Sequence, residues 1–190
     1  MNSKKEVQHV YLVGAKSLGA YGGYETFVYK LTEYHQNKEN IKYHVACKAN
    51  GDGCMDESKF DGVTKINDHE FEFHNAHCFK IDVPQIGPAQ AIYYDVAALK
   101  ACCEHIKMKE NSILFRIQEA EERRLRLYED YKAEILDEDE YSQLKEHYIA
   151  EKQRLEHELQ KQRQRALELE KRIKICDAQM ERMHGIESIR

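Results

Sequence analysis

The stretch VYLVGAKSLGAYGGYETFVYKLTEY, residues 10–34, decides the fold. Residues 7–13 form a short apolar run rich in β-branched and aromatic side chains that ends at Gly14. Such a run, bounded by a glycine, predicts a buried strand. Residues 14–23 hold four glycines and predict a loop. Phe27, Val28, Leu31 and Tyr34 then recur at helical spacing, which predicts a helix over 24–35. Strand, glycine loop and helix in succession open an α/β unit. The loop also carries chemistry. Gly14, Gly19, Gly22 and Gly23 have no Cβ, so a ligand can approach the backbone there. The helix start near Gly23 leaves free N–H groups and the positive dipole end facing the loop, a setting suited to a phosphate or a sugar-diphosphate. Glu25, in the first helical turn, suits a sugar hydroxyl or a capping role. The spacing is neither GxGxxG nor a P-loop with its GK[ST], so as a generic phosphate signal it is weak. Tight turning of the chain explains the glycines about equally well.

Outward from this segment the alternation continues. IKYHVAC (41–47) reads as a second strand, and 48–62, polar with three glycines, as a loop. FEFHNAHCFKIDV (71–83) alternates around Asn75 and predicts one or two short strands. Pro84 to Pro88 bound a loop. Ile92, Val96, Leu99, Cys103 and Ile106 then predict an amphipathic helix over 89–107. The alternation predicts a parallel α/β sheet.

The character changes near residue 110. Eight of the nine glycines and both prolines lie before residue 90, whereas 116–182 has neither and is dense in Glu, Lys and Arg. Few breaks predict long helices. One is expected over 113–135, with Leu114, Ile117, Leu125, Tyr128 and Ile135 on a rough face. Asp137 and Glu140 form a capping box for a second helix over 138–183. Leu159, Ala166, Ile173 and Met180 recur every seven residues. Tyr141, Tyr148, Leu155, Gln162, Leu169, Cys176 and Met183 make the second line of a coiled-coil seam. The short break predicts an antiparallel hairpin. The expected domains are thus 1–110 and 111–190, with 138–183 available for self-association or a partner helix.

Composition narrows the classes. Charged residues make up 33% of the chain, mean hydropathy is -0.78 and net charge is -5. Acidic and basic residues interleave along the hairpin, so nucleic-acid binding by that segment alone is not expected. No apolar run is long enough to span a membrane. Six cysteines without regular spacing read as reduced, mostly buried thiols in a cytoplasmic setting. His74 and His77 point to opposite faces of an extended strand, so no metal site is read from them with Cys78, His69, Cys47 and Cys54. His44 reads as a satisfied, partly buried histidine. Asp52 and Asp95 read as solvated, and Cys47 ending the second strand disfavours a dinucleotide role. No cofactor is expected.

Residues 10–34, YHVACKANGDG (43–53) and HNAHCFKIDVPQIGPAQAIYYDVAALK (74–100) closely resemble the N-terminal domain of bacterial family-4-type, rhamnosyltransferase-like glycosyltransferases. The resemblance implies the acceptor-side half of a GT-B enzyme, two Rossmann-like domains facing across a cleft. It implies sugar transfer from a nucleotide-sugar to a polysaccharide or lipid-linked acceptor, hence peripheral membrane association through such an acceptor. It also implies that Gly22, Gly23 and Glu25 lie on the cleft near the donor diphosphate. It stops after Glu110, which implies an incomplete Rossmann-like sheet, truncated and inactive alone; Ser112 to Phe115 would be a stub of the next strand. RRLRLYEDYKAEILDEDEYSQLKEHYIAEKQRLEHELQ (123–160) resembles the coiled-coil segment of large serine recombinases, where the coil joins subunits. Two unrelated resemblances in one chain imply a chimera.

Overall fold

The computed structural model describes residues 7–19 and 22–187, with the side chains of Pro88 and of residues beyond 182 left out. Ala20 and Tyr21 of the glycine loop, and Met183 of the seam, therefore lie outside the described residues or side chains. The elements run β1 (Gln8–Leu12), α1 (Gly23–His35), β2 (Ile41–Lys48), β3 (Thr64–Lys65), β4 (Glu70–Phe73), β5 (Ala76–Ile81), α2 (Gln90–Lys132) and α3 (Glu138–Glu187). Two compact units result: residues 1–102 with 175–190, and residues 103–174.

The first unit is an α/β sheet in the order β1-β2-β5-β4-β3. β1, β2 and β5 are parallel, as expected; β3 and β4 are antiparallel, which was not. The reason is local. His74 and Asn75 take φ of 49° and 56°, the left-handed pair of a two-residue hairpin turn. A loop of two residues can only return the chain antiparallel. The alternation around Asn75 located this turn without revealing its consequence for strand direction.

Residues 43–48 of β2 are all buried, so both sheet faces are covered there. Tyr43, Val45 and Cys47 point to one face and join Val28 and Leu18 with Phe71, Phe73, Ala76 and Cys78 in the main core. His44, Ala46 and Lys48 point to the other face. There His44 sits directly opposite Tyr11 on β1 and His77 on β5. His44 engages both ring nitrogens, Nε2 with His9 Nδ1 at 2.9 Å and Nδ1 with His77 Nδ1 at 3.3 Å. His44 is thus buried and satisfied. His74 is separate, stacked on Phe73 in the turn.

The two helices expected over 89–107 and 113–135 are one. α2 runs unbroken for 43 residues, and Ser112 to Phe115 lie inside it rather than starting a strand. No glycine or proline follows Pro88 until Gly185, so nothing interrupts the i→i−4 ladder. In the second unit α2 and α3 pack as an antiparallel hairpin. Leu155 and Leu159 close on Ile113 and Ile117. Gln162 and Ala166 continue the buried seam at the expected spacing. Each buried leucine contributes roughly 1.5–3 kcal/mol. The flanking ion pairs, Lys107–Glu170 at 3.4 Å and Lys152–Glu121, are half-exposed and add little. The capping box forms as expected. Glu140 N–H donates to Asp137 Oδ1 at 2.8 Å, and Asp137 N–H donates to Glu140 Oε2 at 3.4 Å.

All six cysteines are free, four of them buried. Burial pushes the Cys47 thiol up to about 12, so it remains protonated and packs as a small hydrophobe. Among the described residues no helix is long and apolar enough to cross a membrane.

Candidate functional site

Three parallel strands end on the same side of the sheet, and three loops meet there. In α/β sheets this is where ligands bind. The loop after β1 turns at Gly14, whose φ of 100° strains any residue with a side chain. Its carbonyl neighbours are tied down from several directions. Lys48 N–H donates to Lys16 O at 2.8 Å, and Tyr24 Oη donates to Val13 O at 3.1 Å. Leu18 N–H points at Met55 Sδ at 3.4 Å.

Gly22 is the N-cap of α1 and Gly23 its first residue; Gly22 supplies no side-chain cap. Glu25 is the acidic residue of the first turn. Its carboxylate folds back over Gly22, so close that a Cβ on Gly22 would fall 2.1 Å from Oε2. Its other oxygen accepts from Lys16 N–H at 3.3 Å. Gly14, Gly22, Gly23 and Glu25 are thereby neighbours along one loop and helix start. A carboxylate already occupies the positive end of the helix, which suits a hydroxyl-bearing ligand better than a second anion.

The loop after β2 is pinned to the chain after β5. Asn50 Nδ2 donates to Val83 O at 3.1 Å, and Val83 N–H donates to Asn50 Oδ1 at 2.8 Å. Tyr94, in the first turns of α2, is buried. Its hydroxyl lies 2.9 Å from Ala46 O and closer still to Ala15 O, so it joins β2 to the glycine loop. Burial pushes the Tyr94 phenol far up, and it stays a donor. Lys48 is the surprise of this edge. It is 5% exposed, and among the described residues its ammonium has one partner, Asp52 O at 3.0 Å.

The sequence reading did not single out Lys48, Asn50 or Tyr94. The one visible signal was a lysine directly after the apolar run Val45, Ala46 and Cys47. Asp52 and Asp95 are both exposed, as read.

Residues 7–120, more than half of the chain, match the family model described as "Domain of unknown function (DUF1972)". The chain belongs to the DUF1972 family. No curated protein and no solved structure matches it. The DUF1972 span takes in the whole sheet, α1, the three loops and the first part of α2. α3 lies outside it, as do residues 123–160.

Proposed function

We propose that this DUF1972 protein serves sugar transfer from a nucleotide-sugar to a polysaccharide or lipid-linked acceptor, as an acceptor-side part of a glycosyltransferase system. DUF1972 is often found in glycosyltransferase-associated proteins. The observation that carries the reading is Glu25 folded over Gly22 at the carboxyl ends of β1, β2 and β5. Gly23 leaves backbone open to a ligand, Gly22 leaves room for the Glu25 carboxylate, Gly14 turns the loop, and Glu25 offers an acceptor for sugar hydroxyls. One sheet makes one wall of a cleft. Sugar transfer requires donor and acceptor to be held together, so binding without turnover is expected of this chain by itself. Its place is the cytoplasm, with peripheral membrane association through a lipid-linked acceptor.

The test is an NMR titration of the full chain with oligosaccharides and nucleotide-diphosphate sugars. Amide shifts at 14–19 and 22–27 for one of them, lost in Glu25→Ala, support the reading. No shift from any of them counts against it.

A second reading makes the helical hairpin an interaction element. The seam over 138–183 packs Leu155 and Leu159 on Ile113 and Ile117 of the same chain. Self-association would instead use the outer row of α2, where Leu114, Leu125 and Tyr128 are exposed, with Ile135 in the turn after it. Sedimentation at several concentrations tests it. A dimer abolished by Leu125→Asp supports the reading, and a monomer throughout removes it.

A further inference from the structure

We infer that Lys48 is the anchor of an anion site for the phosphate of the sugar-transfer ligand. The inference rests on the reading above for the identity of that ligand, and on Lys48 itself for the site. A lysine buried to 5% exposure is rare unless its charge is answered. Among the described residues Lys48 has only the neutral carbonyl of Asp52, at 3.0 Å. An ammonium has three donors, and this one has no carboxylate partner.

Its surroundings supply further donors. Gly51, at φ 79°, is exposed, and the place of its missing Cβ marks a point beside Lys48. That point lies 3.4 Å from Gln85 Nε2, 3.6 Å from Gln90 Nε2 and 3.6 Å from Lys48 Nζ. Three side-chain nitrogens thus approach one point at ordinary contact distance. The stem of the exposed Lys16 passes over Gly53 of the same loop, its Cδ 3.3 Å from the Cβ position there. Glu25 meanwhile puts its own negative charge in the first turn of α1. The division of labour follows: hydroxyls at Glu25, phosphate oxygens at Lys48.

The phosphate belongs to a nucleoside diphosphate or to a lipid-linked acceptor, and the probes separate the two. The full chain is titrated calorimetrically with inorganic pyrophosphate, with uridine diphosphate and with farnesyl phosphate. Pyrophosphate is expected to bind, and Lys48→Met to weaken it at least about tenfold, the scale of one charge-assisted hydrogen bond. Tighter binding of uridine diphosphate marks a nucleotide, and tighter binding of farnesyl phosphate a lipid carrier. Should Lys48→Met fail to fold, Gln90→Leu and amide shifts at 50–53 in the unaltered chain give the same answer. Pyrophosphate binding that Lys48→Met leaves unchanged, or none at all, overturns the site. Lys48-dependent binding of pyrophosphate with no response to any sugar ligand keeps the site and removes the glycosyltransferase reading. Sugar binding at 14–27 without pyrophosphate binding does the reverse.

Discussion

The carboxylate of Glu25 accepts a hydrogen bond from the backbone N–H of Lys16 at 3.3 Å, closing the glycine loop onto the helix that follows it. The bond joins residues nine apart across Gly22, where only a glycine leaves room for the carboxylate. Glu25→Ala is expected to cost about 1 kcal/mol, because it removes both this bond and the acidic group from the first turn. Hydrogen exchange at Lys16 should accelerate, while exchange in β2 should not. Gly22→Ala should have the same local effect by pushing the carboxylate away. Unchanged exchange at Lys16 in both variants would refute the clasp.

Tyr94 holds two carbonyls of different segments, Ala15 O and Ala46 O. A phenol has one proton, so it serves one at a time and draws both segments together. Tyr94→Phe should lower stability by about 1–3 kcal/mol in urea unfolding, since buried carbonyls lose their donor. The phenol should also fail to titrate with the exposed tyrosines when absorbance is followed to high pH, because burial pushes it up. Ionisation in step with the exposed tyrosines would contradict the buried position.

Lys80 Nζ donates to Glu57 Oε1 at 2.7 Å, linking β5 to the turn at Glu57–Lys59. Burial pushes the Glu57 carboxyl up, but the Lys80 hydrogen bond, with help from the backbone, outweighs it and holds the carboxyl below its ordinary value. A carboxyl that is more acidic when folded stabilises above its unfolded pKa and loses that contribution as pH falls through the folded one. Lys80→Met removes the main opposition to burial, so the carboxyl rises. The variant should therefore be less stable than the unaltered chain at neutral pH, and the deficit should shrink as pH falls and Glu57 is protonated in both. A deficit that does not change with pH would show that the pair contributes nothing.

Gln162 sits in the hairpin seam at 3% exposure, and its Oε1 has no hydrogen-bond partner among the described residues. Gln162→Leu should stabilise the hairpin by about 1–3 kcal/mol, by removing an unsatisfied buried group and adding apolar contact. Leu155→Ala, at a fully buried seam position, should cost about 2–5 kcal/mol. Thermal unfolding followed by circular dichroism reads both. Destabilisation by Gln162→Leu would mean that the amide has a structural role after all.

His74 and Asn75 take left-handed conformations that suit Asn far better than a β-branched residue. Asn75→Val should cost about 1–2 kcal/mol, whereas Asn75→Gly should be tolerated. Equal stability of the two variants would argue against the left-handed turn.

These particulars show what the sequence discloses. The apolar run into Gly14 and the periodic Phe27, Val28 and Leu31 marked β1 and α1 because local pattern and burial agree there. The heptads around Leu155 and Ala166 marked the seam for the same reason, and Asp137 with Glu140 marked a helix start because capping is a local bond. The antiparallel β4 escaped notice because strand direction depends on the backbone sign of two residues, His74 and Asn75. The join of two expected helices into α2 was hidden by a ragged apolar face near Lys109, where nothing in fact breaks the helix. At the site, the glycines and Glu25 were visible as a motif. Lys48 and Tyr94 were not, since the meaning of Tyr94 comes from Ala15, far away in sequence, and that of Lys48 from a burial that a lysine by itself does not announce.

Hydrogen exchange on the full chain, with and without a panel of nucleotide-diphosphate sugars, tests the central claim most directly. The account predicts that the sheet is protected throughout and that one sugar adds protection at 14–19, 22–27 and 48–53. A protected sheet whose loops respond to none of them would contradict a sugar-transfer site, and rapid exchange across β1, β2 and β5 would contradict the fold that builds it.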